Sequence, residues 1–174
     1  NQTGIQGRPG QNSFNSDISA YITVSGGYIL VNASGDGIDS NGTFSLTGGI
    51  VLVSGPTNSG NGALDYESNA TVSGGILIAT GSSGMATGFT QAVNQGAMIV
   101  NFPAQSGEKT IALTDENNNV ICSFAPEKQF QSAVITAPGI EKNKTYNVVI
   151  GGTVANADKN GFAKDSTVTG GDII

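Results

Sequence analysis

The sequence has no histidine, no tryptophan, a single cysteine and only 11% charged residues. Each shortage closes off a class of chemistry. Without histidine there is no Ser-His-Asp triad, and the imidazole ligand common in zinc sites is missing. Cys122 can form no disulfide within the chain. Set in Val120-Ile121-Cys122-Ser123-Phe124, it reads as a small core residue. No apolar run approaches the roughly 20 residues that cross a bilayer, so membrane insertion is not expected. No basic, apolar signal segment is visible either. A chain opening at Asn1 suggests a processed protein or a fragment, with which a lost export signal would be consistent.

Basic residues are missing over a long span. Between Arg8 and Lys109 there is no Lys, Arg or His, only Asp17, Asp36, Asp39, Asp65, Glu67 and Glu108, within a formal net charge of −6. Nucleic acid is therefore an improbable partner, because binding it needs a basic surface to displace counterions. Cations fit better.

What the chain has in abundance is Gly, Ser, Thr and Asn in a repeating order. Three segments share one pattern: Ile22-Thr23-Val24-Ser25-Gly26-Gly27-Tyr28-Ile29-Leu30-Val31, Phe44-Ser45-Leu46-Thr47-Gly48-Gly49-Ile50-Val51-Leu52-Val53 and Ala70-Thr71-Val72-Ser73-Gly74-Gly75-Ile76-Leu77-Ile78-Ala79. The Gly-Gly pairs recur after 22 and then 26 residues (26, 48, 74). Two short strands and a glycine corner per repeat predict a β-solenoid, one coil per repeat. Before each Gly-Gly the residues alternate, with Thr23, Ser45 and Thr71 facing water. After it they are apolar on both faces, so a second layer must cover that side. The second half of the chain is the expected cover. Ile38, Leu64 and Met85 are expected to form a third inward stack.

From about Ala97 the repeat stops. Segments 97–102, 110–114, 120–124, 132–136 and 145–150 read as strands, with a hairpin loop at Asp115-Glu116-Asn117-Asn118-Asn119. The expected fold is all-β: a short right-handed parallel β-helix over 1–95, then a small antiparallel β module over 96–174. The module ends in a coil-like strand. Its tail, Thr167-Val168-Thr169-Gly170-Gly171-Asp172-Ile173-Ile174, repeats the coil pattern, and read onward into Ile5 of another copy it would nearly complete a coil. Either the tail returns along its own molecule, or it docks head to tail on the next one and builds a filament.

Gly35-Asp36-Gly37-Ile38-Asp39-Ser40 recurs, one residue looser, as Gly60-Asn61-Gly62-Ala63-Leu64-Asp65. Asp36, Asp39, Asp65 and Asn61 thus offer stacked oxygen donors of the kind calcium takes. The alternative is that Asp-Gly is simply good turn chemistry. No catalytic residues are expected. The repeats hold no Lys or Arg base, and Asp39 and Asp65, stacked on adjacent coils, make no cleft. Tyr21 and Tyr66 are candidate sugar platforms, whereas Tyr28 aligns with Ile50 and Ile76 and reads as packing. Asn-x-Ser/Thr occurs at Asn1, Asn32, Asn41, Asn69 and Asn143.

The Gly35–Gly42 stretch, the Ser/Thr-Gly-Gly coils and Val53-Ser54-Gly55-Pro56-Thr57-Asn58-Ser59-Gly60-Asn61-Gly62-Ala63-Leu64-Asp65-Tyr66 together resemble a family of bacterial extracellular carbohydrate-binding domain-containing proteins. The likeness continues through Phe130-Gln131-Ser132-Ala133-Val134. These are right-handed parallel β-helices similar to polysaccharide lyases. The resemblance implies an extracellular or cell-surface protein that binds calcium and cellulose- or pectin-type polysaccharide without clear catalytic activity, with the aspartate sites falling on Asp36, Asp39 and Asp65. Family chains are usually longer, with more coils. Two functions are therefore expected to compete: a calcium-stabilised polysaccharide-binding module, and a structural subunit of a head-to-tail filament joined through strand 166–174.

Overall fold

The computed structural model describes residues 19–174, so Ile5 and Asp17 lie outside the described residues. The described chain is all strand and loop, with no helix. Three long strands open it: β1 (Tyr21–Asn32), β3 (Thr43–Ser54) and β5 (Asn69–Gly81). Two short ones lie between them, β2 (Ile38–Ser40) and β4 (Leu64–Tyr66). β1, β3 and β5 pair in parallel, and their register is the alignment of the repeats: Thr23 beside Ser45 beside Thr71, and Leu30 beside Leu52 beside Ile78.

The register slips at each Gly-Gly pair. There the second glycine takes φ +85°, +87° and +84° at Gly27, Gly49 and Gly75. A side chain on Gly49 would be strained by that φ and would also meet the Gly26 backbone at 2.6 Å. The corner is thus a stack of glycines; β1 and β3 keep their partners through it, and only β5 changes its outer neighbour. The first part of β5 pairs with β6 (Gln91–Ala92). The last part pairs antiparallel with β10 (Phe130–Thr136), which in turn pairs with β7 (Ala97–Gln105). The sheet is parallel over three strands and antiparallel beyond them. At its outer edge β7 carries Pro103, which suits a strand whose outer N–H groups need no partner.

A second sheet runs in the order β12 (Thr153–Val154), β13 (Ser166–Thr169), β9 (Asn119–Phe124), β8 (Ile111–Thr114), β11 (Asn147–Ile150), β14 (Asp172–Ile173). It packs on the apolar face of the first. Leu52, Ile76 and Ile78 are buried in one core with Ile111, Leu113, Cys122, Phe124 and Phe130. Their strand neighbours Val51, Val53, Leu77 and Ala79 point the other way, into a core with Phe44, Leu46 and Leu64. The doubly apolar limbs of β3 and β5 are therefore buried on both faces, one of them covered by the second half of the chain, while that of β1 stays partly open, with Tyr28 43% and Leu30 41% exposed.

One expectation needs correction. Met85 is 46% exposed and joins no stack, since the third parallel pair contains only β2 and β4, with Ile38 beside Leu64. The tail, despite its coil-like sequence, forms no parallel coil. β13 pairs antiparallel with β9 and β12, and β14 pairs antiparallel with β11. Its corner differs too, because both Gly170 and Gly171 have positive φ, +70° and +87°. In the three repeats only the second glycine does. Thr167, Val168 and Ile173 have ladder partners in their own chain and the Ile174 N–H donates to the Val148 carbonyl at 3.0 Å, while Gly170 and Gly171 form the corner between β13 and β14.

Candidate functional site

The first limbs of β1, β3 and β5 alternate strictly. Phe44, Leu46, Ala70 and Val72 are buried, so Thr23, Ser45 and Thr71 must stand on the opposite, solvated face. Ser25, Thr47 and Ser73 follow two residues on and are exposed. The result is an array of hydroxyls on one face of the sheet. The row Thr23, Ser45 and Thr71 is in register at the strand spacing of about 4.8 Å, whereas the next, roughly 7 Å along the strand, is offset by the register slip: Ser25 lies beside Gly48, Thr47 beside Gly74, and Thr47 Oγ1 donates to the Val24 carbonyl at 3.4 Å. Ser45 Oγ and Thr71 Oγ1 are hydrogen-bonded at 3.1 Å, which fixes part of the array across two strands. Tyr21 sits at one end of this face, 74% exposed, beside Thr43 and Asn69. An aromatic ring left that open presents an apolar face to a ligand at little ordering cost.

Tyr66 is placed differently. Its ring packs against the coil core and its hydroxyl donates to the Gly88 carbonyl at 2.5 Å. Burial, and then the Asp65 carboxylate beside it, raise its phenol above the ordinary value. It is a structural residue and does not join Tyr21 on one surface. Tyr28 is packing, as its alignment suggests: it meets Phe162 edge to face at 5.9 Å.

The acidic corner is built by glycine. Asp39 lies directly beside Asp65 in the β2/β4 pair. The loop before it can approach closely because a side chain on Gly37 would fall 2.3 Å from the Ala63 carbonyl oxygen. Asp36 Oδ1 accepts a hydrogen bond from the Gly62 N–H at 2.7 Å, so it braces one loop against the other. Asn61 Nδ2 donates to Asn58 Oδ1 at 2.7 Å, and Asn58 Nδ2 donates to the Ser34 carbonyl at 3.2 Å. Burial, followed by the charges of Asp36 and Asp39, raises the Asp65 carboxyl above its ordinary value, against a hydrogen bond from the Tyr66 backbone. Among the described residues no group of three or more acidic, cysteine or histidine side chains converges as a metal site. Asp36, Asp39 and Asp65 therefore do not form such a group. Asp36 and Asn61 serve the loops, and the pair Asp39 and Asp65 remains.

Elsewhere, Cys122 is wholly buried and its thiol is pushed up to about 12, which leaves it no nucleophile near neutral pH. Two adjoining concavities of about 570 Å³ each flank Tyr146. The Tyr146 hydroxyl is committed to the loop beneath it, accepting from Glu141 N–H at 2.7 Å and donating to the Gly139 carbonyl at 3.1 Å. Neither concavity was foreseen from the sequence, because each is formed by loops distant in the chain. Among the described residues no helix is long and apolar enough to cross a membrane. No family model, curated protein or solved structure matches this chain.

Proposed function

We propose that this chain is a non-catalytic, extracellular polysaccharide-binding protein whose binding surface is the hydroxyl face of β1, β3 and β5. The carrying observation is that face itself: in-register Thr and Ser hydroxyls with an open tyrosine at one end. A polysaccharide chain presents its own hydroxyls at regular spacing, and an uncharged array of hydroxyls suits it. Each site would be weak, and repetition along a polymer supplies avidity. In this reading the three repeats are coils of a right-handed parallel β-helix, ended by the antiparallel strand β10. A calcium ion shared by Asp39 and Asp65 would offset their repulsion, with loop carbonyls supplying further oxygens. The test is co-sedimentation with insoluble cellulose and with a pectin gel. Retention on either supports the reading, and recovery of all the protein in the supernatant sinks it.

A second reading, a filament subunit, is favoured by one observation. Among the described residues β1 is an edge strand of twelve residues with neither Lys nor Pro to blunt it, and β14, at another edge, exposes Ile173 and Ile174. Edge-to-edge pairing of copies would use both and leave the tail's own pairing intact. Negative-stain imaging of the chain and of Ile173→Lys distinguishes the two.

A further inference from the structure

We propose that Lys128 and Asn32 become joined by an isopeptide bond, with Glu127 as the catalytic carboxylate. Asn32 lies beside Ser54 in the parallel register, so both side chains leave the sheet on the same face, the one the second half of the chain covers. The segment after β9 crosses that face and is pinned there. The Lys128 N–H donates to Ser54 Oγ at 3.1 Å. From this anchor the Lys128 Nζ reaches the carbonyl oxygen of Ala33, the residue next to Asn32. Glu127 Oε2 accepts from Asn32 Nδ2 at 2.6 Å. An amine, a primary carboxamide and a carboxylate therefore meet at the end of β1, brought together across 95 positions of sequence.

These are the three groups that amide exchange needs. Neutral Lys128 Nζ attacks Asn32 Cγ. Glu127 takes the proton from the attacking nitrogen and delivers it to Nδ2. The Cγ–Nδ2 bond breaks as the Nζ–Cγ bond is kept, and one ammonia leaves. Amine plus carboxamide gives secondary amide plus ammonia, so no oxidant, reductant or water is consumed. The hydrogen bond from Nδ2 to Glu127 already places the leaving nitrogen on the group that must protonate it. To attack, Nζ moves from the Ala33 carbonyl to the side chain of the adjoining residue, and consecutive Cα atoms are only about 3.8 Å apart.

The amine must lose its proton first. Partial burial of the Lys128 stem lowers its pKa from the ordinary value, while the Glu127 charge opposes this. A large neutral fraction is not required. A lysine of ordinary pKa is roughly 0.4% neutral at pH 8, and a reaction that happens once per molecule and releases ammonia accumulates product from that fraction. The bond would tie the outermost described strand to the second half of the chain. It would restrain the unfolded chain as a long-loop cross-link does, in a protein whose single cysteine rules out a disulfide.

The experiment is intact-mass spectrometry of the full chain held at pH 8 for several days, followed by proteolysis and tandem sequencing. The expected result is a mass about 17 Da below that of the sequence, the mass of one ammonia, and a branched peptide joining the segments around Asn32 and Lys128. Lys128→Arg, whose fold is checked by circular dichroism, should keep the full mass. A wild-type chain at full mass with no branched peptide overturns the proposal. So does an ammonia loss that persists in Lys128→Arg, since that assigns it to ring closure at an Asn-Gly pair.

Discussion

The Tyr28 hydroxyl donates a 2.7 Å hydrogen bond to Asp158 Oδ2 across 130 residues of sequence. Asn160 Nδ2 donates to the same hydroxyl at 3.0 Å, and Phe162 packs on the ring. The first glycine corner is thereby held to a loop of the second half. Asp158 also organises that loop, accepting from the N–H groups of Asn160 and Phe162 at 2.8 and 3.0 Å.

Tyr28→Phe should lower stability by about 1 kcal/mol, the worth of one largely exposed hydrogen bond to a charged group. It should also change the acid limb. Burial acts to raise the Asp158 carboxyl, but hydrogen bonds from Tyr28, Phe162 and Asn160 outweigh it, and the folded pKa lies below the ordinary 3.8. The stability this contributes is present above that ordinary value and is lost as pH falls through the folded one. Melting curves from pH 5 to pH 2 should therefore fall less steeply for Tyr28→Phe than for the parent chain. Parallel curves would assign Tyr28 a packing role alone.

Asp65 has the opposite sign. Its folded pKa is raised, so its ionisation is disfavoured in the fold; the associated stability is full below 3.8 and is lost as pH rises through the raised value. Asp65→Asn should consequently raise the melting temperature at pH 7 and leave it little changed at pH 3. If calcium bridges Asp39 and Asp65, the ion should raise the melting temperature of the parent chain and not of Asp65→Asn. An equal response in both proteins places the ion elsewhere, and no response in either removes it from the account.

Thr114 is fully buried, and its Oγ1 has no hydrogen-bond partner. It sits where the β8 to β9 register slips, just before the Asp115 turn. Replacing it with the nearly isosteric valine removes an unsatisfied hydroxyl, and Thr114→Val should gain about 1 kcal/mol in denaturant unfolding. A loss would show that the hydroxyl has a partner.

Much of the first half was legible in the sequence because a strict repeat converts directly into register. Thr23, Ser45 and Thr71 align in the sequence and pair in the sheet. The doubly apolar limbs, such as Ile76-Leu77-Ile78, correctly signalled a covering layer. The tail left two arrangements open because Thr-Val-Thr-Gly-Gly specifies two short strands and a corner but not their partners. β11 and β12 supply antiparallel partners that no local pattern announces. Tyr66 misled because its position in the repeat is half solvated, while its hydroxyl is captured by a carbonyl 22 residues on. The meeting of Asn32, Glu127 and Lys128 was invisible for the same reason, since nothing in either segment names the other.

The central claim is that the hydroxyl face binds polysaccharide, and co-sedimentation with insoluble cellulose compares three proteins to test it. The parent chain should be retained. Tyr21→Ala should be retained several-fold less, having lost its exposed ring. Thr23→Lys combined with Thr71→Lys, which raises two long side chains from the plane on either side of Ser45, should abolish retention while the melting temperature stays close to that of the parent. Retention of the folded double variant at the parent level would contradict the account and move any sugar site off this face.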